Sequence, residues 1–248
     1  MDAVLLFSGQ GAQKVGMGKD LYDQYPVAKA LIEQADKALG ESLSAVMFEG
    51  PGEELTRTCN CQPALYVHGL ACLAVLKELV PSLNPVAAAG LSLGEFTAHA
   101  AAGTYSFEEG LRLVQKRGAF MEEACNATKG TMAAMIGGTD ENVIKLAQEC
   151  DVDVANFNCP GQTVVSGTEE GVAKAVAGAK AAGCKIAKKL NVAGAYHSRL
   201  MHSAMVKLAE ELKNISFGTP SMPVYCNYEA RVVEGPDDIR SMLEHQVC

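Results

Sequence analysis

Pro85-Val86-Ala87-Ala88-Ala89-Gly90-Leu91-Ser92-Leu93-Gly94-Glu95-Phe96 is the stretch that decides how this chain folds. Its first half is a short apolar run bounded by proline and glycine, the pattern of a buried strand. Leu93 to Ala102 reads as a helix. Between them stands Gly90-Leu91-Ser92-Leu93-Gly94, a G-x-S-x-G pattern at a strand-to-helix turn, the context a nucleophile elbow requires. Such a turn forces the serine into a strained backbone, and the flanking glycines let strand and helix approach. The helix N-terminus aims N–H groups and a positive dipole end at the hydroxyl. The same letters also read as a serine N-cap with no chemical role.

Working outward, Ala3–Phe7 is a second short apolar run, ending in the glycine-rich turn Ser8-Gly9-Gln10-Gly11-Ala12-Gln13. Leu21 to Leu39 has helical spacing, with Pro26 marking a break or a first turn. Gln62–Leu79, mostly apolar, and Phe107–Ala124 read as further helices. Beyond them come a strand (Met132–Ile136), a helix (Glu141–Glu149), two strands (Val152–Asn156 and Thr163–Ser166), a helix (Glu169–Ala182) and a strand (Cys184–Leu190). That order, βαββαβ, is the ferredoxin-like pattern. It predicts a subdomain over 128–195 inserted into an α/β domain made of 1–127 and 196–248. An amphipathic helix follows over 198–213, with Leu200, Met201, Met205, Leu208 and Leu212 on one side.

Composition excludes several functions. The 248 residues are 48% hydrophobic and 20% charged, and the net charge of −8 repels nucleic acid rather than collecting it. The nine cysteines are odd in number and scattered, and Cys59 and Cys61 lie too close for a zinc knuckle, so no metal site is expected. The N-terminus lacks the positive region of a signal peptide, and no apolar run reaches the roughly 18 residues of a membrane span. A cytoplasmic protein is expected.

A serine nucleophile needs a base. His68 and His99 fall within helices expected to be buried, and His202 and His245 lie in polar surroundings. His197 sits in Gly194-Ala195-Tyr196-His197-Ser198, a loop just before a helix, where catalytic residues concentrate. A loop histidine bonded to backbone is the plainer alternative.

Four segments line up in order: Phe7-Ser8-Gly9-Gln10-Gly11-Ala12-Gln13, Gly90-Leu91-Ser92-Leu93-Gly94-Glu95-Phe96, Gln115-Lys116-Arg117-Gly118 and Ala195-Tyr196-His197-Ser198-Arg199-Leu200-Met201. Together with Gln62-Pro63-Ala64-Leu65 and 156–167, they make the whole chain resemble the malonyl-CoA:acyl-carrier-protein transacylases of type II fatty acid synthesis and the related polyketide synthase acyltransferase domains. The resemblance implies a serine-hydrolase-like three-layer α/β domain with a ferredoxin-like insert. It implies ping-pong transfer of malonyl from malonyl-CoA to Ser92, then to the phosphopantetheine thiol of acyl carrier protein, with His197 as base. Arg117 would clamp the malonyl carboxylate, and the backbone N–H groups of Gln10 and Leu93 would hold the oxyanion. Gln62 and Asn158 resemble pocket positions, and a backbone carbonyl near Gln246 would orient His197. No resident cofactor is implied, and the protein is expected to be a monomer.

The chain departs from the family pattern in places. Leu91 replaces a frequent histidine, Ser8 a frequent proline, and relatives usually continue with a strand and helix beyond the position of Cys248. Other readings stay open: a polyketide-type enzyme loading another acyl unit, a serine thioesterase or esterase using an acid such as Asp151 or Asp153, and an inactive partner of carrier protein. Carrier proteins are acidic, so docking would call on Lys174, Lys180, Lys185, Lys188 and Lys189, or on Lys116 and Arg199.

Overall fold

The computed structural model describes residues 1–248. Its elements run β1 (Asp2–Phe7), α1 (Lys19–Gln24), α2 (Pro26–Leu39), α3 (Leu43–Glu49), α4 (Gly52–Thr56), α5 (Thr58–Leu79), β2 (Asn84–Gly90), α6 (Leu93–Ala101), α7 (Phe107–Ala127), β3 (Gly130–Ile136), α8 (Asp140–Glu149), β4 (Asp153–Cys159), β5 (Gln162–Thr168), α9 (Glu169–Gly178), β6 (Ile186–Lys189), a 3₁₀ turn (Arg199–Met201), α10 (His202–Leu212) and α11 (Pro236–His245). Two compact units result: 1–119 with 208–246, and 120–207 with 247–248.

In the first unit β1 and β2 pair in parallel, with Leu5 opposite Ala88 and Phe7 opposite Gly90. A third extended segment joins on the far side of β2: the Ala88 N–H donates to the Pro223 carbonyl and the Tyr225 N–H to the Ala88 carbonyl. Pro26 plays both parts foreseen for it. It separates α1 from α2 and takes the first position of α2, where its missing N–H costs nothing. Ala28, Ile32 and Ala35, spaced four and three apart, form the buried stripe of α2, and Gly40, left-handed at φ 71°, ends it. The helix α5 corrects one expectation. At 22 residues it is long and apolar enough to cross a membrane, but 61% of its most apolar window is buried within the protein, as in a core helix.

The second unit holds a four-stranded antiparallel sheet in the order β4-β5-β3-β6, with α8 and α9 packed on it. This is the ferredoxin-like arrangement, as expected from the strand and helix order. Its core is Ala133, Met135, Val143, Leu146, Val152, Val165, Val172 and Ala175 with a few neighbours. Thr139 and Thr168 cap α8 and α9 through their side chains. The helix α7 begins in the first unit and ends in the second. The long amphipathic helix expected over 198–213 is a 3₁₀ turn followed by α10.

Candidate active site

Ser92 lies between β2 and α6 with φ 50° and ψ −101°, in a backbone region that side chains rarely occupy. It stands at the N-cap position, yet its side chain makes no capping bond. The plain N-cap reading therefore fails. Both motif glycines are demanded by packing. A Cβ on Gly90 would fall 2.0 Å from the Gly94 carbonyl carbon, and one on Gly94 would fall 2.2 Å from the Phe7 carbonyl oxygen. Leu91, the residue that departs from the family pattern, is half exposed on this turn.

The glycine-rich loop after β1 comes against the elbow. The Leu91 N–H donates to the Phe7 carbonyl at 3.1 Å, and a Cβ on Gly9 would meet the Leu91 carbonyl oxygen at 2.5 Å. Gln10 follows directly, so Gly9 brings its backbone close to the serine turn. Leu93 is the first residue of α6, and its N–H has no carbonyl to bond within the helix.

Arg117, on α7, is 1% exposed and reaches the serine. Its Nη2 donates to Ser92 Oγ and to Gln246 Oε1, both at 2.9 Å, and its Nη1 donates to Gln62 Oε1 at 2.7 Å. The guanidinium also lies over the Phe96 ring, 5.0 Å from its centre. Gln62, near the start of α5, is buried for this purpose rather than serving as an ordinary helix-start residue. These acceptors are neutral oxygens, so they orient the guanidinium without cancelling its charge.

Two residues of this site carry no motif that names their role. Glu95, in the first turn of α6, is fully buried; its Oε2 accepts from the Asn227 backbone N–H, the Asn227 side chain and the Gln246 side chain, at 2.7, 2.7 and 2.9 Å. Its Oε1 has no hydrogen-bond partner. Burial pushes its carboxyl up to about 7, against the pull of those donors and of Arg117. Asn227 also accepts from the Ser92 N–H at 2.9 Å and donates to the Gly90 carbonyl at 2.7 Å. Glu95 was visible inside the serine motif. Asn227 sits 135 residues from Ser92 in Tyr225-Cys226-Asn227-Tyr228, a stretch without periodicity or motif.

Thus the first unit brings together Ser92, Leu93, Arg117, Gln62 and Gln246, with Gln10 in the adjoining loop. His197 and Asn158 belong to the second unit. His197 is half-buried at φ 55°, between buried Tyr196 and Ser198. Ser198 Oγ donates to the Ala195 carbonyl and accepts from the Leu200 N–H, which fixes the loop before the 3₁₀ turn. Asn158 is exposed near the end of β4. The acids a thioesterase would want are engaged with Arg199: Asp151 Oδ1 lies 2.9 Å from its Nη2, and Asp153 Oδ2 accepts from its backbone N–H at 2.9 Å. Burial lowers His99 to about 4, which leaves it a neutral core group bonded to Thr104.

The fold and site together define a mixed α/β protein with a strained serine on a strand-to-helix turn and a buried guanidinium on its hydroxyl. Residues 4–244 match the family described as the acyl transferase domain, and the chain belongs to that family. Among its relatives, the malonyl CoA-acyl carrier protein transacylase of Bacillus subtilis is 44% identical over 247 residues, covering 98% of this chain and 77% of the relative. A solved malonyl CoA-acyl carrier protein transacylase from Coxiella burnetii superposes with a TM-score of 0.94 at 36% identity, over 98% of this chain and 78% of that one. A malonyl-transacylase solved in complex with its type II polyketide acyl-carrier protein gives the same TM-score and identity, over 100% of this chain and 81% of that one.

Proposed function

We propose that the protein transfers the malonyl group from malonyl-CoA to the phosphopantetheine thiol of acyl carrier protein, through a malonyl ester on Ser92. One observation carries this reading: the Arg117 nitrogen that donates to Ser92 Oγ, at 2.9 Å, belongs to a buried guanidinium. In malonyl thioester a single methylene separates the carboxylate from the reacting carbonyl carbon. A carboxylate seated on that guanidinium therefore brings the thioester carbon to the hydroxyl, a near-attack arrangement. An acetyl group has nothing to seat there.

In this reading His197 takes the Ser92 proton as Oγ attacks the thioester carbon and returns it to the departing CoA thiolate. The oxyanion is held by the N–H groups of Gln10 and Leu93; losing one such donor costs about a hundredfold or more in rate. The carrier thiol then attacks the ester, His197 takes its proton, and Ser92 leaves with that proton restored. Gln62 and Gln246 hold Arg117 in place, Gln246 adds a backbone carbonyl that orients His197, and Asn158 contributes to the acyl pocket. The chemistry calls for no resident cofactor. Exposed Lys180, Lys185 and Lys188 offer positive charge to an acidic carrier, whereas Lys116, Lys174, Lys189 and Arg199 each face an acidic partner. The enzyme would act as a cytoplasmic monomer in fatty acid biosynthesis. The polyketide carrier complex among the structural relatives keeps a polyketide pathway as the second reading.

Incubation with malonyl-CoA, followed by an acid quench and intact-mass measurement, tests the proposal. The wild-type protein is expected to gain one malonyl group and to lose it to added acyl carrier protein, whereas Ser92→Ala gains none. Release of free malonate without transfer would make the protein a hydrolase instead.

A further inference from the structure

A strand-to-helix turn leaves backbone groups that neither element can satisfy within itself. At the Ser92 elbow a single side chain takes them up. Asn227 Oδ1 accepts from the Ser92 N–H, and its Nδ2 donates to the Gly90 carbonyl and to Glu95 Oε2, at 2.9, 2.7 and 2.7 Å. It thus grips the residues before, at and after the strained turn. Asn227 is itself held firmly. It follows directly on the segment that pairs with Ala88 of β2, and the Cys226 N–H donates to the Arg231 carbonyl. Arg231 closes the loop with two 2.7 Å bonds to the Asp238 carboxylate on α11.

The contacts continue into a closed ring. From Asn227 they pass to Glu95 Oε2, then at 2.9 Å to the Gln246 side chain, then at 2.9 Å to Arg117, and at 2.9 Å back to Ser92 Oγ. Glu95 is fully buried and spends one oxygen on all three of its N–H donors. Every member of the ring lies in the first unit.

We infer that Asn227 is a positioning residue for acylation. It holds the elbow in its strained form and, through Glu95 and Gln246, locks the serine hydroxyl and the carboxylate clamp into one relative geometry. The inference rests on Ser92 being the nucleophile. It adds a residue that touches neither substrate nor reacting atoms.

Two reagents separate the elbow from the clamp: malonyl-CoA, which needs both, and a neutral fluorophosphonate, which needs only the serine and its oxyanion donors. For Asn227→Ala, kcat for serine malonylation is expected to fall about 10- to 100-fold, the loss that a misplacement of about 1 Å produces, while KM for malonyl-CoA stays within about threefold. Fluorophosphonate labelling should slow by a similar factor. Arg117→Ala should instead slow malonylation more than labelling. Asn227→Asp keeps the shape and the acceptor for the Ser92 N–H but sets a carboxylate oxygen against the Gly90 carbonyl and Glu95 Oε2, so kcat should fall at least as far as in Asn227→Ala. Circular dichroism establishes that each variant is folded; if Asn227→Ala is not, the isosteric variant decides. A folded Asn227 variant that is acylated at the wild-type kcat, or whose loss lies wholly in KM, overturns the inference. A wild-type protein that neither reagent labels at Ser92 would overturn the catalytic reading on which it rests.

Discussion

The two units differ in what they bury. The first encloses Arg117, Glu95, His99, Gln62 and Gln246, a set with two ionisable groups beside Ser92 and a third deeper in the core. The second encloses few polar side chains, chiefly the hydroxyls of Thr131, Thr163, Ser166, Ser198 and Tyr196, around an apolar core. Buried charge is costly, and apolar residues of the same volume would often stabilise as well or better. Its concentration around Ser92 shows that the first unit gives up stability to build a site. The core of the second unit obeys the ordinary rules of packing.

The largest effects should come from attacking the buried charge. Arg117→Ala removes the donor to Gln62, Gln246 and Ser92 and empties the volume of a buried side chain, so a loss of about 3–5 kcal/mol in urea unfolding is expected. The folded fraction should lose malonyl loading far more than acetyl loading, and equal losses would remove the clamp from the mechanism. Met135→Ala makes the matching test in the second unit. Met135 is 1% exposed in the apolar core, so a cost of about 2–5 kcal/mol is expected, of equal size at pH 5 and pH 8.

The same contrast explains what could be read from the letters. The second unit is built from contacts between strands and helices close in sequence, and each announces itself by periodicity and turn residues. Hence its strand order follows from the chain alone. In the first unit the elbow was legible because Gly90, Ser92 and Gly94 stand at fixed spacing between an apolar run and a helical pattern. Arg117, Gln62 and Gln246 came with a family pattern, not with any local signal. Asn227 was invisible: its role exists only because residues 223–225 pair with β2, a long-range parallel contact that no local pattern specifies. The helices α3 and α4, of 7 and 5 residues, were missed because so short a run shows barely a turn or two of periodicity.

Glu95→Gln should give an intermediate effect with a distinctive pH dependence. Burial raises the Glu95 carboxyl from 4.5 to about 7. Between those values the folded protein keeps a proton that the unfolded chain has released, so stability from this group is full below about pH 4.5 and falls as pH rises to about 7. The fall amounts to about 3 kcal/mol. His99 acts on the acid side in the opposite sense: lowered from 6.5 to about 4, it loses stability as pH drops through that range. Subtracting wild-type from Glu95→Gln unfolding free energies cancels the His99 contribution. The difference should grow more positive from pH 5 to pH 8, and a flat difference would mean that Glu95 stays ionised throughout.

The smallest effect compares two residues in the same formal position. Thr168 and Ser92 are both N-cap residues, of α9 and α6. Thr168 accepts the Gly171 N–H at 3.1 Å, as a cap should, whereas the Ser92 hydroxyl caps nothing and takes its bond from Arg117. Thr168→Ala should therefore cost about 1 kcal/mol and leave serine acylation untouched. Ser92→Ala removes no cap, so its stability change should not follow the Thr168 value, while acylation disappears altogether. If the two substitutions cost the same stability, the Ser92 hydroxyl would be acting as a cap after all, and the contrast between the buried polar groups around Ser92 and the apolar core of the second unit would weaken at its centre.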